Sequence, residues 1–303
     1  MIFSDPFSQA LRRHPALSPT PWHGTPTGKA PRTHVFIYTW NKAKILEATL
    51  DSLAHTEGEN WKLFLLDNGS TDDTLKIAFD YRSRQCFPQM EIIPLPVNVG
   101  APAARNWLAA MPENRHADFL AYLDDDILLS TDWLQRLLRV FEHYPYAGVS
   151  GAKILFDQAP PFIQHTGGII TRVQDWHTSI NCQNWVEDHG QHDYCAPRHY
   201  VMGCCHIYRR EVFDVCGNFD LRFSPTQFDE VEHQIRMRLY GYQAIYNGGV
   251  RIIHKLQSGS QTSPASQINR EANRAKMLPL FSNAEIQWLV QENLMNAPHQ
   301  AVL

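Results

Sequence analysis

From His34 onward the chain switches between two hydrophobic periods. HVFIYT (34–39), KLFLLD (62–67), MEIIPL (90–95) and DFLAYLD (118–124) are short runs rich in β-branched and aromatic residues, a pattern that predicts buried strands. Between them the spacing lengthens. In KAKILEATLDSLAH, Ile45, Leu46, Thr49, Leu50 and Leu53 recur at helical intervals, and LKIAFDYRSR and APAARNWLAAM predict two more helices. The resulting order, β-α-β-α-β-α-β, predicts an α/β fold with a mostly parallel central sheet and helices on both faces. Ligands of such sheets sit beyond the carboxyl ends of the strands. Polar residues gather at those ends: Thr39 and Asn41, then Asp67, then Asn98 to Gly100, then Asp124 to Asp126.

The second half is less regular. TDWLQRLLRVFEHY is an amphipathic helix, and residues 145–200 mix short strands with Gly, His and Asn. HYVMGCCHIYRREVF reads as a strand running into a helix. FDEVEHQIRMRLYGY is a helix that opens with acids, where its dipole favours them, and ends at Gly241. QAIYN and VRIIH predict two short strands. Residues 257–269 read as a polar linker, with short helices near 269–278 and 283–294. Residues 1–33 carry Pro15, Pro19, Pro21, Pro26 and Pro31, which predicts an extended lead-in.

Composition narrows the partners. The 303 residues hold 27 Lys+Arg and 31 Asp+Glu, a formal charge of −4, which argues against a protein that wraps nucleic acid. No apolar run approaches the roughly 18 residues of a membrane span, and the N-terminus lacks the apolar core of a signal peptide. The expectation is a cytoplasmic protein with no transmembrane segment, and peripheral membrane association stays open. The 6 cysteines are expected as reduced thiols. Histidine is in surplus, at 15, and much of it lies between His165 and His206 among Cys182, Cys195, Cys204 and Cys205. Zinc sites usually show paired spacing, whereas Cys204, Cys205 and His206 are adjacent, so an acceptor-facing surface is preferred there over zinc.

Candidate chemistry comes in short pieces. Three consecutive acids in LDDDI (123–127) repel one another unless a cation joins them, and their oxygens suit Mg²⁺ or Mn²⁺. A solvated acidic turn is the plainer alternative. Asp229, Glu230 and Glu232 are explained locally by the helix dipole, and functionally by a general base for an acceptor hydroxyl, its proton affinity raised by crowding. His254 ends VRIIH and is either a satisfied strand-end residue or a metal ligand beside Asp126. NVGAPAARN (98–106) is either an ordinary glycine turn into a helix or a segment whose Arg105 contacts phosphate.

The order of these pieces is more specific than any one of them. HVFIYTWNKAKILEATLDSL, FLLDNGSTDDT, NVGAPAARN, YLDDDILLSTDWL, GCCHIYRREVFDVCGNFDLRF, FDEVEHQIRMRLYGY and YNGGVRIIH resemble, in sequence, the family 2 glycosyltransferases over about residues 33–256. The resemblance implies a Rossmann-like GT-A fold with a smaller acceptor-side antiparallel element. It implies a catalytic domain at 34–256, with a nucleotide-sugar half (34–130) and an acceptor and catalytic half (131–256), followed by a linker and short helical tail (257–303). It implies metal-dependent, inverting transfer from a UDP-, GDP- or dTDP-sugar to a glycan, lipid-linked glycan or protein acceptor. Thr39, Trp40, Asn41, Asp67, Asn98, Gly100, Arg105, Asp124 and Asp125 would bind the nucleotide sugar. Asp124, Asp126 and His254 would hold Mn²⁺ or Mg²⁺, Glu230 would be the base with Asp229 as the fallback, and Arg236 matches the Arg of that helix. Three positions depart from the family's usual pattern: Asp229–Glu230 where Glu then Asp is commoner, His233 for a Leu-type residue, and Trp40 for Tyr. Trp40 either stacks on the base or simply packs. Competing readings are a sugar nucleotidyltransferase, disfavoured because TWNKAK has no glycine, and a nucleotide-sugar-binding pseudo-enzyme or scaffold.

Overall fold

The computed structural model describes residues 19–25, 28–87, 89–170, 178–180, 186–255, 264–292 and 303. Its first half follows the predicted alternation: β1 (Thr33–Thr39), α1 (Ala43–Ala54), β2 (Trp61–Asp67), α2 (Thr74–Ser83), β3 (Met90–Pro94), α3 (Ala101–Ala110), β4 (Phe119–Leu123), a short β5 (Ile127–Leu128) and α4 (Trp133–His143). The second half contains β6 (Ala147–Phe156), β7 (Ile163–His165), β8 (Gly168–Ile170), β9 (Thr178–Ile180), β10 (Cys195–Arg198), β11 (Cys205–Arg209), α5 (Glu211–Cys216), α6 (Asp229–Leu239), β12 (Gln243–His254), α7 (Pro264–Met277) and α8 (Asn283–Gln291).

A 10-stranded sheet runs in the order β10-β12-β6-β11-β4-β1-β2-β3, with β5 paired to β12 and β7 to β6. β1 is parallel to β2 and β4, β2 to β3, and β6 to β12. β11 runs antiparallel to both β4 and β6, β10 and β5 run antiparallel to β12, and β7 runs antiparallel to β6. β8 and β9 form a separate two-stranded antiparallel sheet.

The period-two pattern sorts side chains to two faces. Val35, Ile37, Leu63, Leu65, Ala121 and Leu123 point into a core closed by α1, α2 and α4. Phe36, Phe64, Leu66, Leu120 and Tyr122 point into one closed by α3 and α5. On α1, Ile45, Leu46, Thr49, Leu50 and Leu53 are the buried residues, the set its periodicity predicts. A third cluster packs Met277, Phe281, Ile286 and Leu289 of the C-terminal region on Val231 and Ile235 of α6.

Three local expectations are corrected. QAIYN and VRIIH are one strand, β12, whose register against β6 shifts between Asn247 and Arg251, so the glycine pair is absorbed as an irregularity inside the strand. β6 is a 10-residue strand buried along almost its whole length, although its glycines and Lys153 hide it from a propensity reading. α7 begins at Pro264, earlier than the predicted helix, so it takes in part of the expected linker. Residues 257–263 of that linker lie outside the described residues, as do 1–18 and 26–27 of the proline-rich lead-in. Within the described part of that lead-in, Trp22 sits edge-on to Phe119 at 4.9 Å.

Candidate active site

The carboxyl ends of β1 to β4, the first turn of α6 and the end of β12 open onto one cavity of about 840 Å³. Trp40, Asn41, Asn98, Gly100, Arg105, Asp124, Asp125, Asp126, Asp229, Glu230 and His254 all line it. Thr39 and Asp67 do not. They are register partners at the ends of β1 and β2, both buried below the cavity wall, and Asn68 lines it instead. Asp67 Oδ2 accepts from the Ser70 backbone at 3.3 Å and so shapes the loop above.

Pairing of β5 with β12 builds the acidic corner. It sets His254 opposite Ile127, next to Asp126. The Thr49 hydroxyl of α1 donates to the Asp125 carbonyl (3.0 Å) and accepts from the Ile127 backbone (3.2 Å), which pins the turn from below. One ligand atom from each of Asp124, Asp126 and His254 lies within 4.8 Å of the others, and among the described residues this is the one group so placed for a cation. His254 Nδ1 donates to Gln164 Oε1 at 3.0 Å, and Nε2 lies 3.1 Å from Asp126 Oδ1, a second acceptor, to which it donates when no cation takes that place. A histidine whose far nitrogen donates to a second group is the arrangement that orients a metal ligand. Two carboxylates and an imidazole fit a Mn²⁺- or Mg²⁺-sized cation.

Lys42, which the sequence reading passed over, reaches the same corner. Its ammonium lies 3.1 Å from Asp126 Oδ2 and 3.5 Å from Asp125 Oδ1. Burial pushes the Asp125 carboxyl up to about 7 even against that charge. Burial and the charge of Asp126 also raise Asp124. Burial works to raise Asp126 too, yet the hydrogen bond and charge of His254 together with Lys42 hold it below the ordinary carboxylate range.

The two acids of α6 have opposite surroundings. Asp229 is fully buried, and one of its oxygens takes a charge-assisted hydrogen bond from Arg105 Nη1. Arg105 also donates to Tyr38 Oη at 3.0 Å, lies 3.9 Å from Asp124, and stacks over the Tyr38 and Phe219 rings. Its guanidinium therefore spans the gap between the β4 acids and the α6 acids. Glu230 is only part-buried, beside Gly203. Burial and the charge of Asp229 raise its carboxyl to about 7.

Loop side chains fix the rest. Asn41, at φ 53°, accepts from the Thr71 backbone at 2.7 Å, while its own N–H donates to Ser70 at 2.9 Å. Asn98 Oδ1 accepts from Gly100 N–H (2.8 Å) and from Asn68 (3.0 Å). Gly100 is needed at its position: its φ is +83°, and a Cβ there would meet the Pro225 backbone at 3.2 Å. Trp40 is 50% exposed, so it does not pack inside but stands at the cavity edge. His233 is sealed among Tyr208, Phe213 and Phe219, and Nε2 donates to the Gly217 carbonyl at 2.8 Å. Arg236 pairs with Glu232 at 2.8 Å and caps the 216–218 turn, so it braces α6 and does not line the cavity.

The histidine-rich stretch divides. His165, His199 and His206 are buried, which removes them from any acceptor surface. His199 takes the Ile170 N–H at 2.7 Å and meets the Leu289 carbonyl at 2.9 Å, holding α8 to the sheet. Among the described residues Cys195, Cys204 and Cys205 join no metal-binding group, and Cys182 lies outside them.

Comparison with known proteins bears on the family and the fold. The sequence model of Glycosyl transferase family 2 matches residues 34–217. The O-antigen biosynthesis protein RfbC of Myxococcus xanthus is 24% identical over 79% of this chain, which spans only 18% of that protein. The N-acetylglucosaminyl-diphospho-decaprenol L-rhamnosyltransferase of Mycobacterium tuberculosis (strain ATCC 25618 / H37Rv) is also 24% identical, over 77% of this chain and 79% of its own. Among solved structures, GalNAc-T7 with UDP, GalNAc and Mn²⁺ aligns at a TM-score of 0.64 and 15% identity, covering 86% of this chain and 49% of that one. That likeness shows the fold. Among the described residues no helix is long and apolar enough to cross a membrane.

Proposed function

We propose how this chain, which belongs to glycosyl transferase family 2 and is a glycosyltransferase, carries out its reaction: it moves a sugar from a nucleoside diphosphate to an acceptor hydroxyl in one inverting displacement. The observation that carries this reading is the division of labour between Asp229 and Glu230. Arg105 occupies Asp229, whereas Glu230 faces the cavity with a proton affinity suited to a base near neutral pH. Glu230 removes the acceptor proton, and the oxygen then attacks the anomeric carbon from the face opposite the departing diphosphate. Glutamate reaches one methylene further than the aspartate usual at this position, so the acceptor hydroxyl is engaged from slightly further back.

Asp124, Asp126 and His254 would hold a divalent cation, which supplies charge neutralisation at the diphosphate. GalNAc-T7 was crystallised with Mn²⁺ and UDP, which supports a cation and a nucleotide donor here. Lys42 and Arg105 add fixed positive charge on the same side of the cavity. Trp40 offers an aromatic face to the nucleobase. The nucleotidyltransferase reading is set aside, because the chain belongs to a family of glycosyltransferases, whereas a nucleotide-sugar-binding scaffold of the same family is tested by Asp126→Ala and Glu230→Gln, which would leave its activity intact.

A thermal-shift screen of UDP-, GDP- and dTDP-sugars with Mn²⁺ identifies the donor, since a ligand of the folded state raises its apparent stability. EDTA abolishes turnover. Asp126→Ala lowers Mn²⁺ affinity by at least about tenfold, read by electron paramagnetic resonance of free Mn²⁺. If calorimetry with Mn²⁺ detects no nucleoside diphosphate binding at all, the reading is lost. Trp40→Ala weakens UDP binding by about 1–3 kcal/mol, the usual worth of a base stacked on an aromatic ring. Unchanged affinity would mean that Trp40 does not touch the base.

A further inference from the structure

The segment before α6 is an awkward piece of backbone. Gln227 and Phe228 both adopt left-handed conformations, with φ of 77° and 71°, and neither is glycine. Such conformations persist only where the surroundings enforce them. Phe228 is also the residue from which α6 starts, and no side chain caps that start. Asp229 and Glu230 follow at once, so the direction in which Glu230 enters the cavity is set by this turn.

One face of α7 holds the turn. Asn269, Asn273 and Lys276 are spaced i, i+4 and i+7, which stacks them on one side of a helix. The Asn273 carboxamide is fully buried, and the two N–H groups of its Nδ2 are shared among the carbonyls of Phe223 (3.0 Å), Thr226 (2.8 Å) and Gln227 (3.0 Å). Lys276 donates to Asn273 Oδ1 at 2.8 Å, which fixes the orientation of the amide, and to the Arg222 carbonyl at 2.6 Å. Asn269 donates to the Thr226 carbonyl at 2.8 Å and lines the cavity. Met277 packs in the same apolar cluster as Phe223 and Val231, which seats the helix. All of this lies beyond residue 217, where the match to the family model ends.

We propose that Asn273 is a positioning residue for Glu230: with Asn269 and Lys276 it clamps the 222–228 turn and so fixes where the carboxylate enters the cavity. This rests on Glu230 being the base. Once the clamp is released the turn relaxes, Glu230 becomes more exposed to water, and the carboxylate drifts from the acceptor.

The test uses the full chain. Asn273→Ala removes the clamp, and Lys276→Met removes only the group that orients it. Glutamate-selective ¹³C labelling follows carboxyl titrations by NMR, and Glu230→Gln assigns the Glu230 signal. In the wild type that signal titrates near 7, and in both variants it falls toward the ordinary 4.5. The groups facing it, Asp229, Arg105 and Asp124, are unchanged. Hydrogen exchange of the backbone amides at 228–231 rises at least about tenfold in the variants. UDP binding with Mn²⁺, measured by calorimetry, falls by much less than exchange rises, because the turn meets the donor side at one point, where the Pro225 carbonyl accepts from Ala101 N–H at 2.7 Å. A Glu230 titration and an exchange rate that both match wild type overturn the proposal, as does a fall in UDP affinity as large as the rise in exchange, which marks general loosening. If Asn273→Ala does not fold, Lys276→Met decides by the same criteria. If no glutamate titrates above the ordinary range in the wild type, the base assignment is in error, and the exchange measurement judges the clamp alone.

Discussion

Glu230→Gln reduces turnover by about 10²–10⁴-fold while nucleotide binding persists. The amide keeps the shape of the side chain and loses the ability to take a proton. Asp229 does not replace it, because its carboxylate is buried and held by Arg105. In the wild type, turnover rises with pH through about 7 as Glu230 ionises. The stability consequence has a definite sign. Burial, followed by the charge of Asp229, raises the folded proton affinity of Glu230 above its unfolded value of 4.5. Below that value both states are protonated and nothing is lost. Above it the unfolded chain ionises first, so a penalty on the folded state grows and is complete once pH passes about 7. The glutamine variant therefore melts at a higher temperature than wild type at pH 8 and at the same temperature at pH 4. Full turnover in the variant, or a pH profile flat between 5 and 8 in the wild type, would contradict the assignment.

Arg105→Met gives the largest loss of stability. Methionine retains length and apolar contact with Tyr38 and Phe219 and removes the charge. Asp229 is then a buried carboxylate with no cation, one of whose oxygens already lacks a partner. Breaking a buried pair from one side costs about 3–5 kcal/mol, more than either charge contributes when both are removed. Asp229→Asn in the same chain should recover most of that loss, and urea unfolding of the four proteins in the cycle measures the coupling. A single-variant loss below about 1 kcal/mol, or no recovery in the double variant, shows that the pair does not hold the two halves of the site together.

Much of the fold was legible because its first half obeys local periodicity. Five positions on α1 could be assigned to the core from spacing alone, and the strand ends located Asp124 to Asp126, Asn98 and Gly100 at the cavity. What stayed hidden depends on contacts between distant residues. Lys42 meets Asp126 across 84 positions, and Arg105 meets Asp229 across 124, and no local pattern encodes either pair. The antiparallel entry of β11 between β4 and β6 is equally invisible, since strand composition does not state direction. Thr39 and Asp67 illustrate a subtler limit. They stand at strand ends as predicted, but the last residue of a buried strand can face the core while its neighbour, Tyr38 or Asn68, lines the cavity. The clamp on the 222–228 turn was missed because Asn269, Asn273 and Lys276 look like ordinary solvent-facing polar residues until α7 is docked.

The reversed strand β11 has a consequence for how such a protein changes its substrate. The Asp124 N–H donates to the Cys204 carbonyl at 2.9 Å, so the acidic corner and the Gly203 shelf beside Glu230 are stitched together. A one-residue slip in β11 would displace both at once, and donor and acceptor chemistry would fail together. New specificity therefore arises with least disturbance away from this floor, in the segments that follow β6. The shared floor couples the two ends of the reaction, so a change to one of its parts is felt at the other.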